Sequence, residues 1–543
     1  MPLIKDLFYR KSIDRIISDS LDTRHSLKRV LTAPDLILLG IGAIVGAGIF
    51  ATVGTAAVGD TARPGAGPAL IVSFILTAIA CGFSALCYAE LASMVPISGS
   101  AYTYAYATLG QVVAWIIGWD LIIEYAVGNV AVAISWSGYF KELLSGFGIT
   151  IPAWLTTDYR SAFSGERIYQ AATRLISGES LESIKSISPK VYEYISEQLN
   201  NGVTPEFIQR SFESAHNAIS HAPHIFSIPI IFNLPAVMIV LIITAILVIG
   251  IKESSRFNAI MVGIKLLILG FFIIVGLFYV KPENWTPFAP NGWAGIHAGA
   301  AIVFFAYIGF DAVSTAAEET VNPGRNLPIG IIGSLVICTI IYILVAAVLT
   351  GMVPLSAFTQ SNKAEPLTVA MNFHNLSWAA GIISFGSIVA HTAVLLVFQL
   401  GQPRIFFSMA RDGLLPASFA KVHERFKTPH ITTIITGVFV AFFAAFTNID
   451  EMVDLTNIGT LFAFILVCLG VIVLRIREPE RKRAFRSPLF PIVPILGILS
   501  CIYLMLGLPA ITYLRFVIWL LAGLVIYFFY GYRRAKALIK EEI

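Results

Sequence analysis

Twelve apolar runs, most of them about twenty residues long, leave this chain one class of fold. They lie at roughly 36–58, 68–93, 111–140, 227–250, 256–280, 294–320, 328–353, 379–403, 431–447, 455–475, 488–509 and 512–532. A helix crosses the hydrocarbon of a bilayer in about 20 mostly apolar residues. The alternative, a soluble core, fails on composition: 57% of the 543 residues are hydrophobic and 13% charged, against about 25% charged in soluble domains. The expected fold is all-α and polytopic, with twelve transmembrane helices.

The first 35 residues are polar and basic, with no short apolar stretch and small-residue cleavage site of the kind that marks a signal peptide. The first apolar run is therefore expected to remain as a membrane helix. Lys and Arg crowd one alternate set of loops and are sparse in the other, whose short members hold Arg63, Lys281, Lys363 and Arg515. By the positive-inside rule the first set is cytoplasmic. Both termini, 1–35 and 533–543, are then cytoplasmic, and the protein is a multi-pass component of the cell (inner) membrane. The basic cluster Arg481, Lys482, Arg483, Arg486 reads as an anchor near anionic lipid, with no nucleic-acid role. Cys81, Cys87, Cys338, Cys468 and Cys501 all fall in apolar runs and read as small core residues.

One segment breaks the pattern. Residues 146–226 separate the first three helices (36–145) from the other nine (227–532), and they are polar, with short amphipathic stretches at Glu166–Ile176, Ser180–Ile187, Lys190–Leu199 and Pro205–Ile219. They read as an extracytoplasmic helical insertion, either a solvated cap or a lid that docks a partner.

Two helices carry breaks. The first is interrupted at Gly46-Ala47-Gly48 and the sixth at Ala306-Tyr307-Ile308-Gly309-Phe310-Asp311. The breaks are five helices apart, and a repeat of five spans has inverted topology. Interrupted helices at matching places in two halves point to the central site of a transporter. A broken helix offers free amides and a positive dipole end to a carboxylate. On its other side it offers free carbonyls to an ammonium. An amino acid has both groups. The amides would come from Gly46, Ala47 and Gly48, and the carbonyls from near Ile44, Val45, Phe305, Ala306 and Ile308, with Phe305 lying across the ligand as a gate.

Lys265 is a charge inside the fifth apolar run, where insertion scales assign a cost of ~2.5 kcal/mol or more. It admits two readings: a structural ion-pair partner, or a cation that takes the place of a bound alkali ion among helix-end carbonyls and exchanges its proton in turnover. Thr392 is a hydroxyl partner for it. Glu124 is central in the third helix, facing the ligand or balancing the lysine. Asp311 and His391 are relay or structural groups. Glu90 lies near a helix end. No phosphate loop, HExxH pair or Cys/His ligand set occurs, so an enzyme, a metal and a cofactor are not implied.

Several ordered motifs resemble amino acid permeases of the APC superfamily. Ser26-Leu-Lys-Arg and Leu38-Leu-Gly-Ile-Gly-Ala-Ile-Val-Gly-Ala-Gly-Ile-Phe50 are followed by Cys87-Tyr-Ala-Glu-Leu-Ala92, Ser98-Gly-Ser-Ala-Tyr-Thr-Tyr-Ala-Tyr106 and Gly118-Trp-Asp-Leu-Ile-Ile-Glu-Tyr125. Phe304-Phe-Ala-Tyr-Ile-Gly-Phe-Asp-Ala-Val-Ser314, Glu318-Glu319 and Arg325-Asn-Leu-Pro-Ile-Gly330 complete the set. The pattern is similar to the cationic amino acid transporter branch in its bacterial form, and covers nearly all of the chain except 146–226. The resemblance implies a LeuT-type fold, a 5+5 inverted repeat with two appended C-terminal helices. It implies sodium-independent, proton-coupled amino acid uptake by alternating access, with Lys265 in the place of a sodium ion. Its partners would be the amino acid, protons and the lipid bilayer. An amino acid exchanger and an amino acid-sensing transceptor are the alternatives. The long insertion and His391 depart from the pattern.

Overall fold

The computed structural model describes residues 8–14, 29–60, 63–97, 99–185, 188–200, 203–250, 255–358, 363–426 and 428–534. Most of the basic N-terminal segment, including Ser26–Lys28, lies outside the described residues, as do Ser98 and the tail beyond 534. Eight helices are long and apolar enough to cross a membrane: Gly67–Met94, Gln111–Gly146, Asn258–Leu277, Gly292–Glu319, Pro323–Met352, Ser377–Arg411, Ile449–Arg477 and Ala510–Arg534. A ninth is the bent pair Ala33–Ile44 and Gly48–Val58. Three shorter apolar helices, Leu234–Ile249, His430–Phe446 and Ile492–Met505, fall on the fourth, ninth and eleventh runs. The chain is an all-α polytopic membrane protein, and the twelve helices are named here as the first to twelfth spans in chain order.

Local chemistry sets the ends of these spans. The first opens with a capping box, in which the Thr32 N–H donates to Asp35 Oδ2 at 2.9 Å, and Pro34 sits in its first turn, where no amide is needed. The tenth opens on Asn448, whose side chain accepts from the Asp450 amide. Large apolar side chains of the outer helices point outward, among them Leu267, Ile274, Val438, Phe442, Leu499, Leu514 and Phe529. That is the arrangement a bilayer solvates. All five cysteines are buried and unpaired.

Two short helices absent from the hydropathy pattern complete the bundle. Ser100–Thr108 is buried along its whole length beside the third span, and Pro366–Phe373 lies between the seventh and eighth spans. Neither carries a long apolar run, so hydropathy passes over them.

The insertion folds as helices Tyr159–Ile176, Leu181–Lys185, Pro189–Asn200, Pro205–Ser211 and Glu213–Ser220, followed by a hairpin pairing His224–Ile225 with Ile228–Pro229. Its own small core contains Ile168, Ala172, Ile184, Ile195 and Ile208. Asp158 caps the first of these helices, accepting from the Ser161 amide at 2.9 Å. Burial pushes the Asp158 carboxyl above its ordinary value, against the opposing pull of that cap. The insertion is tied to the tenth span, since Asn448 Nδ2 donates to Ser161 Oγ at 2.7 Å and Arg160 pairs with Glu451 at 3.2 Å.

On the opposite face, Glu90 is 1% exposed. It is held by Arg475 Nε and Nη2 at 2.8 and 2.6 Å and by the Ser487 amide at 2.8 Å. Arg483 approaches the same carboxylate at 3.2 Å, and Arg481 pairs with Glu478 and Asp14. Two members of the basic cluster are thus spent inside the protein, which leaves Lys482 and Arg486 as its exposed cations. Glu90 is a buried joint between the second and tenth spans rather than an interfacial charge.

Candidate substrate and coupling site

The first span is helical from Ala33 to Ile44, and resumes at Gly48 after a 44° bend. It restarts as a wide π turn over Gly48–Thr52. The sixth span is α-helical to Val303 and tightens into a 3-10 turn at Phe304–Tyr307. It then extends at Ile308 and turns at Gly309 with φ +116°, resuming at Asp311. Only a glycine adopts that φ without strain.

The two breaks pack on each other. A Cβ on Gly48 would overlap the backbone of Ala306, and one on Gly309 would lie 2.9 Å from the Ala43 carbonyl carbon. Around this crossing is a small void lined by Ala43, Ile44, Gly46, Ala47, Gly48, Val132, Phe305, Ile308, Val394 and Phe398, with a volume of about 10 Å³. That is room for about one water. Among the expected site residues, Ile44, Gly46, Ala47, Gly48, Phe305 and Ile308 line it. Val45 is buried but turned away, and Ala306 contributes the backbone on which Gly48 rests. Val132, Val394 and Phe398 are lining residues the sequence did not single out, because an apolar residue in an apolar helix carries no signal of its own.

Lys265 is fully buried, and its Nζ donates to the Gly42 carbonyl at 2.6 Å. Gly42 is in the last turn before the first break, where helical carbonyls have no partner further along the chain. The Ile44 carbonyl accepts from Tyr342 Oη at 3.0 Å. The fifth and seventh spans therefore hold the cut end of the first.

Thr392 does not meet the lysine. Its hydroxyl donates to the Ile388 carbonyl one turn back and accepts from Trp136 Nε1 at 3.0 Å, so it links the eighth span to the third. Such back-bonding is the ordinary habit of a mid-helix threonine. His391 also turns to the third span, with Nε2 2.7 Å from Ser135 Oγ and Nδ1 on the Ser387 carbonyl.

Glu124 does not line the void. It sits in a π turn of the third span, Ile123–Val127, beside the Asp311 carboxyl and Thr460. Glu124 Oε2 and both Asp311 oxygens are buried with no hydrogen-bond donor. A protonated carboxyl donates and an ionised one only accepts, so a proton held between the two would supply the missing donor. Asp311 stands at the head of the half-helix that follows the break, on the side away from the insertion. Asp120 is buried a turn from Glu124, with Oδ1 closely facing Gly459.

Comparison with known proteins agrees with this architecture. The family model described as "Amino acid permease" matches residues 31–530. A branched-chain amino acid permease, BcaP, of Bacillus subtilis is 44% identical over 530 residues, covering 98% of each chain. A methylthioribose transporter of the same organism is 43% identical over 528 residues, covering 97% of this chain and 98% of the relative. The vacuolar cationic amino acid transporter 4 of Arabidopsis thaliana is 35% identical over 483 residues, covering 88% of this chain and 68% of the relative. The matched range spans both broken helices and the fifth span, and these matches make this chain a member of the amino acid permease family, a transporter and not an enzyme.

Proposed function

We propose that the protein takes up a small aliphatic amino acid together with a proton, by alternating access, without sodium. The observation that carries this reading is the pairing of two glycine-broken helices with a buried lysine on the cut end of one of them. The substrate carboxylate meets the amides of Gly46, Ala47 and Gly48. Its ammonium meets carbonyls at the breaks, with Phe305 across it. The two halves form a LeuT-type inverted repeat with two appended helices. Spans one and six rock against the rest to open each face in turn. The insertion lies outside the cell, and both termini lie in the cytoplasm.

Lys265 occupies the position an alkali ion would take. As an ammonium it satisfies the Gly42 carbonyl and ties the fifth span to the part of the first span that precedes the break. As a neutral amine it releases them, so one proton is traded for each opening toward the cytoplasm. The small void between Phe305 and the Gly46–Gly48 turn is where the substrate would sit, and it widens as the spans move.

Substrate class follows from the lining. Ile44, Val132, Ile308, Val394 and Phe398 offer an apolar wall with no carboxylate, and Glu124, which would favour a cationic side chain, is elsewhere. That favours an aliphatic side chain of branched-chain size. A second reading rests on the relative named as a methylthioribose transporter, whose stated substrate has no carboxylate. Competition against labelled leucine in proteoliposomes separates them. Valine and isoleucine are expected to compete, and arginine and methylthioribose to be weak. Strong competition by methylthioribose with none by valine would overturn the amino acid reading.

A further inference from the structure

Between the insertion face and Lys265 stands a column of buried polar side chains that the substrate void does not use. Glu365, just ahead of the short helix Pro366–Phe373, is 6% exposed. Its carboxyl is seated against Gly138 of the third span, where there is no room for a Cβ. The next residue on that span is Tyr139, fully buried, whose Oη donates to the Phe50 carbonyl at 2.5 Å. Beyond it lies the buried hydroxyl of Ser387, next to the Tyr139 phenol. One turn further along the eighth span is His391, with its ring 5.7 Å from both the Phe50 and the Tyr139 rings.

The hydrogen bonds fix the histidine's tautomer. The Ser387 carbonyl can only accept, so Nδ1 carries the hydrogen and the Nε2 lone pair accepts from the Ser135 hydroxyl at 2.7 Å. The eighth span packs tightly on the fifth, with Gly386 against Ile268, one turn from Lys265. Lys265 is the charged group that faces the imidazole from that span. At the other end, Lys141 and Glu142 of the third span act on Glu365, and the Lys363–Asp450 pair, 3.3 Å apart, lies at the same turn.

We propose that Glu365, Tyr139, Ser387, Ser135 and His391 form the path by which a proton travels from the outer face to Lys265. The inference rests on the proton-coupled reading above and adds its route. Glu365 takes a proton from outer water and becomes neutral. Each hydroxyl then accepts a proton on a lone pair and releases its own, ending unchanged. His391 accepts at Nε2 from the Ser135 hydroxyl and becomes imidazolium. Transfer to a neutral Lys265 amine restores the imidazole and leaves an ammonium, so one proton has moved and no other bond has changed. Burial holds the Glu365 carboxyl up at about 7, with Lys141 pulling it down and Glu142 pushing it up. The carboxyl must be protonated to deliver, so uptake is full at lower outer pH and falls as the pH rises through about 7.

The test uses the full-length protein in proteoliposomes. Leucine accumulation under an inside-alkaline gradient is measured at outer pH 5.5–8.5, alongside leucine–leucine counterflow with no gradient. Glu365→Gln and His391→Gln are expected to lower the ratio of accumulation to counterflow at least tenfold and to abolish the fall near pH 7. Glu365→Asp is expected to restore both. Three results overturn the path: an unchanged ratio in both variants, equal losses in the two assays, or an unmoved pH profile. If the wild type fails to accumulate leucine at all, the coupling reading itself falls, which is distinguishable from failure of the route.

Discussion

Lys265 Nζ donates to the carbonyl of Gly42 at 2.6 Å, joining the fifth span to the last helical turn before the break in the first. A cation in this place has two effects. It supplies a donor to a carbonyl that the break would otherwise orphan, and in the proposed cycle its protonation state would set the position of the first span. An unpaired buried acceptor costs about 1–3 kcal/mol, a large share of the few kcal/mol that separate the states of a two-state carrier.

Lys265→Ala is expected to abolish gradient-driven accumulation while leaving substrate counterflow measurable. Lys265→Arg is the sharper variant, because a guanidinium keeps its charge at any working pH. It should support exchange but show no response to a pH gradient. Transport assays with and without the gradient check both.

Gly48 and Gly82 make a matched pair for stability. A Cβ at Gly48 overlaps the Ala306 backbone, whereas one at Gly82 meets nothing within 4 Å. Gly48→Ala should cost about 1–3 kcal/mol through overpacking and lower the melting temperature of the detergent-solubilised protein. Gly82→Ala, in a helix interior, should raise it slightly. Gly48→Leu should abolish leucine binding as well, by forcing the two breaks apart.

The joint between Glu90 and Arg475 predicts a large effect far from the substrate. Arg475→Ala leaves a buried carboxylate short of its bidentate partner, and breaking such a pair costs about 3–5 kcal/mol. The expected result is a marked loss of thermal stability, read by a thermal shift assay. Arg486→Ala, an exposed member of the same cluster, should change stability little.

Specificity should respond to Val394. Its Cγ2 lies 2.7 Å from where a Cβ on Gly46 would be, so it closes the void against the first break. Val394→Ala should admit bulkier side chains, raising competition by phenylalanine against leucine by about tenfold, within the 1–3 kcal/mol that a change of pocket volume yields. A competition series across aliphatic and aromatic amino acids checks it.

Much of this arrangement was legible in the chain. Gly46, Gly48 and Gly309 announce breaks because glycine in a membrane helix removes side-chain constraint. Lys265 stands out because no other charge lies between Phe257 and Val280. The insertion helices show their amphipathic faces in sequence, and the structure buries those faces in a core around Ile168 and Ile195. What was not legible depends on which helix faces which. Thr392 has a hydroxyl at a suitable depth, but helical phase turns it to Trp136 rather than to Lys265. Glu124 reads as a ligand residue until the sixth span is seen to bring Asp311 beside it. Val132, Val394 and Phe398 become lining residues only through packing. The helix Ser100–Thr108 escaped because its buried face is made of small residues and tyrosines, without a long apolar run.

Leucine uptake into sodium-free proteoliposomes, with and without an inside-alkaline pH gradient, tests the central claim most directly. The account predicts accumulation above the outside concentration only when the gradient is present, lost in Lys265→Ala. Uptake that needs internal amino acid and ignores the gradient would contradict it, and would make the protein an exchanger.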